Sequence, residues 1–241
     1  MKILDDLISG LDKETSIKEI RQGPFYTGVL SRNCGLAATL VLDAFKQDRP
    51  WAKEPGLLLD KSIDALLHMA YSDRILEAAI GVATINSLID IDDQKHESID
   101  AGQLIAEKGR EKRVAIVGHF PFTQMLREVA GQLWIIEKNP EEGDYPESEA
   151  DTILPQADIV GITGTSLINH TIEKLLKLCH PEAYVIVLGA TTPLSPVLFD
   201  HNIDAVAGTK VINSELALRC VSQGATYRYI KGIQKVVMRR P

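Results

Sequence analysis

Four stretches in the second half of the chain place small, hydroxyl-bearing or acid–base residues directly after apolar runs. They are Gly118-His119-Phe120-Pro121, Glu137, Thr163-Gly164-Thr165-Ser166 and Gly189-Ala190-Thr191-Thr192-Pro193-Leu194-Ser195-Pro196. An imidazole at a strand end can serve as a general base or a metal ligand, which makes His119 a candidate for either role. Glu137 lies 19 residues after Gly118, about where a Rossmann unit places an acid for ribose hydroxyls. Thr163, Thr165 and Asn169 stand where a strand feeds a helix. The free N–H groups and partial positive charge of a helix N-terminus suit an anion or polar ligand.

Each group also has a plainer use. The turn after Val117 has one glycine instead of Gly-x-Gly-x-x-Gly, and Pro121 removes a donor that a pyrophosphate would want. An ordinary dinucleotide site is therefore disfavoured, whereas adenosyl-methionine or a mononucleotide tolerates a looser glycine pattern. Gly164-Thr165-Ser166 lacks the Gly-x-Ser-x-Gly elbow of a hydrolase, and Ser195 sits between prolines. His170 and His180 read as surface residues. Cys179-His180 has no Cys-x-x-Cys or His-x-x-x-His partner, so no local spacing makes a metal site. The acidic stretch Asp90 to Asp100, with His96, lacks an Asp-x-Asp-x-Asp-Gly loop and reads as a solvated linker.

The elements that position these residues follow from periodicity. From Lys112 onward, β runs alternate with helical patterns: strands at 113–117, 133–136, 158–162, 184–188 and 203–206, helices at 121–130, 166–178 and 214–223. Alternation of this kind predicts parallel pairing with right-handed crossovers, a doubly wound sheet whose ligands bind outside the strand carboxyl ends. Residues 226–238 predict a closing hairpin around Lys231-Gly232. The acidic loop 141–151 follows the second strand and can border the same crevice. The first half reads differently. An amphipathic helix over 1–15 precedes three short strands at 17–20, 25–30 and 36–42, an antiparallel meander with turns at Gly23-Pro24 and Arg32–Gly35. Helices at 62–69 and 73–88 follow, the second with a small-residue face that ends near Asn86. The division falls near residue 99, with an α+β unit over 1–99 and the doubly wound unit over 100–241.

The formal charge of -7 disfavours nucleic acid or an anionic membrane as the main partner. The first ten residues contain Asp5 and Asp6 and no apolar run, so no secretory leader is expected. No stretch approaches the roughly 20 apolar residues of a membrane span. Three scattered cysteines argue against a disulfide framework. Together these point to a cytoplasmic protein, and the base rate for oligomers to a homodimer.

Val117-Gly-His-Phe-Pro121, Leu154-Pro155 with Asp158, Ile162-Thr-Gly-Thr-Ser-Leu-Ile-Asn169-His-Thr171, Gly189-Ala-Thr-Thr-Pro-Leu-Ser-Pro196 and, earlier, Gly81-Val-Ala-Thr-Ile-Asn86 together resemble a prokaryotic family labelled "putative heavy-metal chelation". The resemblance covers nearly the whole chain. It implies an enolase N-terminal-like domain, a Rossmann-like domain and a site between them that holds a divalent or heavy metal ion or a metal–metabolite complex, with or without catalysis. The cysteines match no chelating pattern. On this reading His119 and Glu137 carry the chemistry, and Gly118, Phe120, Pro121, Thr163, Gly164, Thr165, Asn169, Thr191, Pro193 and Ser195 contact the ligand. The turn with Asn33 and the region of Asn86 close the crevice from the other unit. The alternatives are a Rossmann-type enzyme that uses adenosyl-methionine or a nucleotide on a small molecule, and a non-catalytic regulatory or carrier subunit.

Overall fold

The computed structural model describes residues 1–92, 94 and 96–241; Asp93 and Lys95, inside the acidic linker, lie outside the described residues. The chain opens with α1 (Lys2–Ser9), which ends at Gly10 and buries Ile3, Leu4 and Leu7. Strands β1 (Glu19–Gln22), β2 (Tyr26–Leu30) and β3 (Cys34–Ala38) form the antiparallel meander in the order β1-β2-β3. The third strand stops four residues earlier than its apolar run predicts. Leu40 adopts φ 51, which cannot continue a ladder, and the chain turns into the single-turn α2 (Val41–Ala44). Helices α3 (Ile63–His68) and α4 (Ile75–Leu88) complete the first half.

The meander is covered on both faces, as the period of two requires. Gly35 presses on α4, where a side chain would strike the backbone of Ala83 and Ser87, whereas Gly28 faces Leu218. Leu218 belongs to the helix Ser214–Ser222, near the C-terminal end of the chain, so the last α-helix closes the first sheet.

After α5 (Ala101–Lys108) come β4 (Arg113–Val117), α6 (Thr123–Val129), β5 (Gln132–Glu137), the two-residue β6 (Tyr145–Pro146), α7 (Ala150–Ile153), β7 (Ile159–Thr163), α8 (Ile172–Leu178), β8 (Tyr184–Leu188), β9 (Ala205–Val211), α9 (Ser214–Ser222) and β10 (Ile233–Arg239). The seven-stranded sheet runs β10-β9-β8-β7-β4-β5-β6. Every pair is parallel except β9 with β10. Read from β6 to β9, this is the 3-2-1-4-5-6 order of a Rossmann sheet, with one antiparallel strand added at its edge. Ile116, Ile159 and Ile186 pack towards α5 and α6. Ala115, Val160 and Val187 point the other way, into a core continuous with α4 and the meander. The two halves thus share one apolar interior.

Two sequence expectations are corrected by the chain's path. The helix predicted over 166–178 is broken: a 3-10 turn (Gly164–Leu167) is followed by His170 at φ 60, and α8 starts only at Ile172. No hairpin closes the chain either. Tyr227–Tyr229 is a 3-10 turn, and β10 pairs along its length with β9 across the α9 connection. The linker also contributes to structure, because Glu97 bridges to Val237 by paired main-chain bonds.

Candidate functional site

The reversal of strand order falls between β4 and β7, and the crevice opens there. Gly118 after β4 and Gly189 after β8 both bend away from the sheet at positive φ, 108° and 113°. A side chain on Gly189 would meet nothing within 4 Å, so its backbone borders open space. The crevice becomes a cavity of about 1230 Å³. Its far wall comes from the first half, through Pro24–Tyr26 and the segment from Ala38 to Asp43, and Thr226–Ile230 with the start of β10 closes one end.

Of the residues singled out from the sequence, Gly118, His119, Phe120, Pro121, Glu137, Thr163, Thr165, Asn169 and Thr191 line this cavity. Both oxygens of Glu137 accept main-chain N–H groups, from His119 and from Lys138, each at 2.8 Å. The acid expected to bind ribose therefore anchors the His119 turn. Phe120 stacks on Phe122 with centroids 5.2 Å apart. Thr163 and Thr165 share a hydroxyl contact at 3.0 Å, and the Asn169 carbonyl accepts from Thr171. Because α8 begins only after these residues, Thr163 and Thr165 open the 3-10 turn Gly164–Leu167, with Thr163 Oγ1 accepting the Thr165 N–H, and do not stand at an α-helix N-terminus.

The remaining candidates lie elsewhere. Gly164 is buried behind the rim, where a side chain would stand 2.5 Å from Thr192 Oγ1 and 2.7 Å from Thr192 N. Pro193 and Ser195 are buried, and Ser195 Oγ caps the 3-10 segment Pro196–His201 by accepting from Val197 N. Asn86 is a tie between the halves, as its Nδ2 donates to Leu36 O at 2.8 Å and to Thr191 O at 3.0 Å. Thr191 Oγ1 in turn accepts the Ala38 N–H.

Asn33 is at the wrong end of the meander. It donates to Ile89 O, while neighbouring Arg32 bridges Asp12 and Asp90. The turn that faces the cavity is Gly23–Tyr26, between β1 and β2. Antiparallel strands put successive turns at opposite ends, so one meander cannot present both. His170 is likewise no free surface group: it is half-buried and its Nε2 meets Ala70 O at 2.8 Å across the two halves.

Sequence reasoning missed several lining groups. Asp100 pairs with Lys235 at 2.9 Å, beside the Tyr227 ring. Burial pushes the Asp100 carboxyl up, but Lys235 and the Gly102 N–H outweigh it and leave the acid below its ordinary value. Burial pushes Tyr26 up to about 12, with Tyr227 adding to the effect. The acidic loop borders the cavity through Glu147. It also brings Asp144 Oδ2 to 3.4 Å from His119 Nδ1, with the Asp144 side chain only 2% exposed. No local pattern marks Asp144 among its acidic neighbours.

The lining charges nearly cancel: Asp43, Asp100, Glu137 and Glu147 against Lys138, Arg228 and Lys235. A polyphosphate would meet no basic cradle. Among the described residues, no three His, Cys, Asp or Glu side chains converge on a metal position. Burial pushes the Cys34 and Cys179 thiols up to about 12, which removes them as ready thiolates.

The molecule is thus a two-part α/β protein with a roomy, electrically balanced cleft at the switch point of a Rossmann-type sheet. Two family models match it, DUF4213 over residues 4–89 and DUF364 over residues 100–240, and both are described as "Putative heavy-metal chelation". The chain belongs to this family. It is similar to an uncharacterised protein of Methanocaldococcus jannaschii, at 26% identity over 88% of this chain and 85% of that one. Two crystal structures of DUF364-family proteins of unknown function share its fold. That from Desulfitobacterium hafniense has a TM-score of 0.84 at 28% identity, and that from Pyrococcus horikoshii 0.86 at 25%; each alignment covers 99% of this chain and 98% of the other. No helix among the described residues is long and apolar enough to cross a membrane.

Proposed function

We propose that the cleft between the unit of residues 1–99 and the unit of residues 100–241 binds a small organic molecule that carries a divalent or heavy metal ion. The metal enters as part of the ligand instead of sitting in a protein cage. The size and chemistry of the cavity carry this reading. About 1230 Å³ exceeds what a bare ion needs and suits a metabolite-sized ligand. The lining offers one imidazole, hydroxyls and aromatic faces, and three of its four carboxylates are already engaged by Lys46, Lys235 or main-chain N–H groups. A metal that brings most of its own donors fits such a site. Bound there, it would supply Lewis acidity next to His119. The cytoplasm, where a chain without disulfides is at home, is the natural compartment for this role.

Calorimetric titration and thermal melting test the proposal, with Ni(II), Co(II) and Zn(II) each added as free ions and as iminodiacetate complexes. The complexes should raise the melting temperature more than the free ions. Equal or absent effects from both would refute it.

A second reading, an enzyme that uses adenosyl-methionine, is favoured by the strand order and by the near-neutral lining, which suits a phosphate-free cofactor. Stabilisation by adenosyl-methionine but by no metal complex would select it.

A further inference from the structure

We infer that Asp144 is a positioning residue that holds His119 with its proton on Nδ1, so that Nε2 presents a lone pair to the cleft as the protein's one donor to the ligand's metal. The inference rests on the reading of the cleft given above.

Three observations converge on it. First, the His119 backbone is fixed: it follows Gly118 at positive φ, and its N–H is held by Glu137 at 2.8 Å. Second, Asp144 Oδ2 stands 3.4 Å from Nδ1, and the Asp144 side chain is only 2% exposed. That distance is longer than the ~2.9 Å of a fully formed N–H···O bond, and such contacts tighten when a ligand engages the site. Third, the same oxygen accepts the Glu141 N–H at 3.1 Å, closing the turn from Glu141 to Asp144. The carboxylate is therefore placed by its own loop and does not depend on the imidazole for its position.

A carboxylate at one ring nitrogen dictates the tautomer. It accepts from Nδ1–H and leaves Nε2 unprotonated, and this arrangement orients metal-binding histidines and raises their basicity. No other protein group among the described residues is bonded to Nε2, and His119 lines the cavity. The ligand class follows: a metal complex with at least one coordination position open or held by water, since a single imidazole adds one donor.

Nuclear magnetic resonance tests this without any assay of activity. Long-range proton–nitrogen correlation of the ¹⁵N-histidine-labelled protein at pH 8, with His119 assigned by its loss in His119→Ala, should show the Nδ1–H form. Asp144→Asn keeps an acceptor for Glu141 but removes the charge, and should return His119 to the Nε2–H form that free imidazoles prefer. Asp144→Glu should restore the wild-type tautomer at least in part. Zinc–iminodiacetate should shift the His119 Nε2 resonance. Its affinity should fall about 10- to 100-fold in Asp144→Asn and further in His119→Ala.

An Nε2–H tautomer in the wild type, or one unchanged by Asp144→Asn, would overturn the role of Asp144. Undiminished binding of the complex in His119→Ala would overturn the donor role of His119 and leave the reading of the cleft standing. If no complex bound the wild type at all, that reading would fall, and the donor role with it.

Discussion

Glu137 holds the main chain of His119: one carboxylate oxygen accepts the His119 N–H and the other the Lys138 N–H, each at 2.8 Å. An acid in the position of a ribose ligand is thereby committed to the shape of its own rim. Glu137→Gln retains one acceptor but turns an NH₂ group towards a main-chain N–H. The loss of a charge-assisted bond at this half-exposed position should cost on the order of 1–2 kcal/mol, read by denaturant unfolding. A midpoint identical to wild type would show the tie to be dispensable.

Asn86 joins three segments with one amide nitrogen, and its Oδ1 is buried with no partner among the described residues. Asn86→Ala strips the Leu36 and Thr191 carbonyls of their donor and is expected to destabilise by about 1–3 kcal/mol. Asn86→Asp should be worse, because it sets a carboxylate against two carbonyl oxygens. If the aspartate variant melted above the alanine variant, the hydrogen-bond assignment would be wrong.

The glycines separate two kinds of constraint. Gly35 is trapped against the backbone of α4, and a methyl group there would strike the Ala83 carbonyl and the Ser87 nitrogen. Neither can retreat without bending the helix, so Gly35→Ala should cost more than ~3 kcal/mol. Gly189 has open space around it and only its φ of 113° to defend. Gly189→Ala should cost about 1–3 kcal/mol through backbone strain alone. Comparison of their unfolding midpoints decides the order.

Asp158 accepts from the Arg113 guanidinium at 2.6 and 3.1 Å and from the Arg113 main-chain N–H at 2.9 Å. These bonds, the side-chain ones foremost, hold its carboxyl down at about 2 against an ordinary 3.8. A lowered folded-state value means that the contribution is complete above about pH 4 and is lost as pH falls towards 2. The pair is largely solvated, so the effect is modest and screened by salt. Stability curves of wild type and Asp158→Asn should differ at neutral pH and converge between about pH 4 and 2. Curves that stay parallel to pH 2 would contradict the assignment.

With their thiols pushed up to about 12 by burial, Cys34 and Cys179 should resist iodoacetamide at pH 8 in the native protein and react once denaturant is added. Peptide mass spectrometry reads this directly. Rapid native labelling of either would reopen thiolate capture of a soft metal.

Much of the fold was legible because its determinants are local. The runs Arg113–Val117 and Tyr184–Leu188 fall where periodicity put them, since a strand buried on both faces needs a near-continuous apolar run. Most of the rim was legible for the same reason: if strands are parallel, the residues after them share an edge. The break at His170 was not, because an apolar spacing continues across it, and the turn combines local bonds from Thr171 to Asn169 with a contact of His170 to Ala70, 100 residues away.

What the sequence by itself determined is most of the strands and helices and the edge on which His119, Glu137 and Thr163 stand. Tertiary structure alone decided which end of the meander faces that edge, moving Asn33 away and bringing Tyr26 in, and which acid of a featureless loop meets the imidazole. Pattern and propensity act over a few residues. Meander orientation, the Asn86 tie and the approach of Asp144 to His119 depend on packing between segments far apart in the chain.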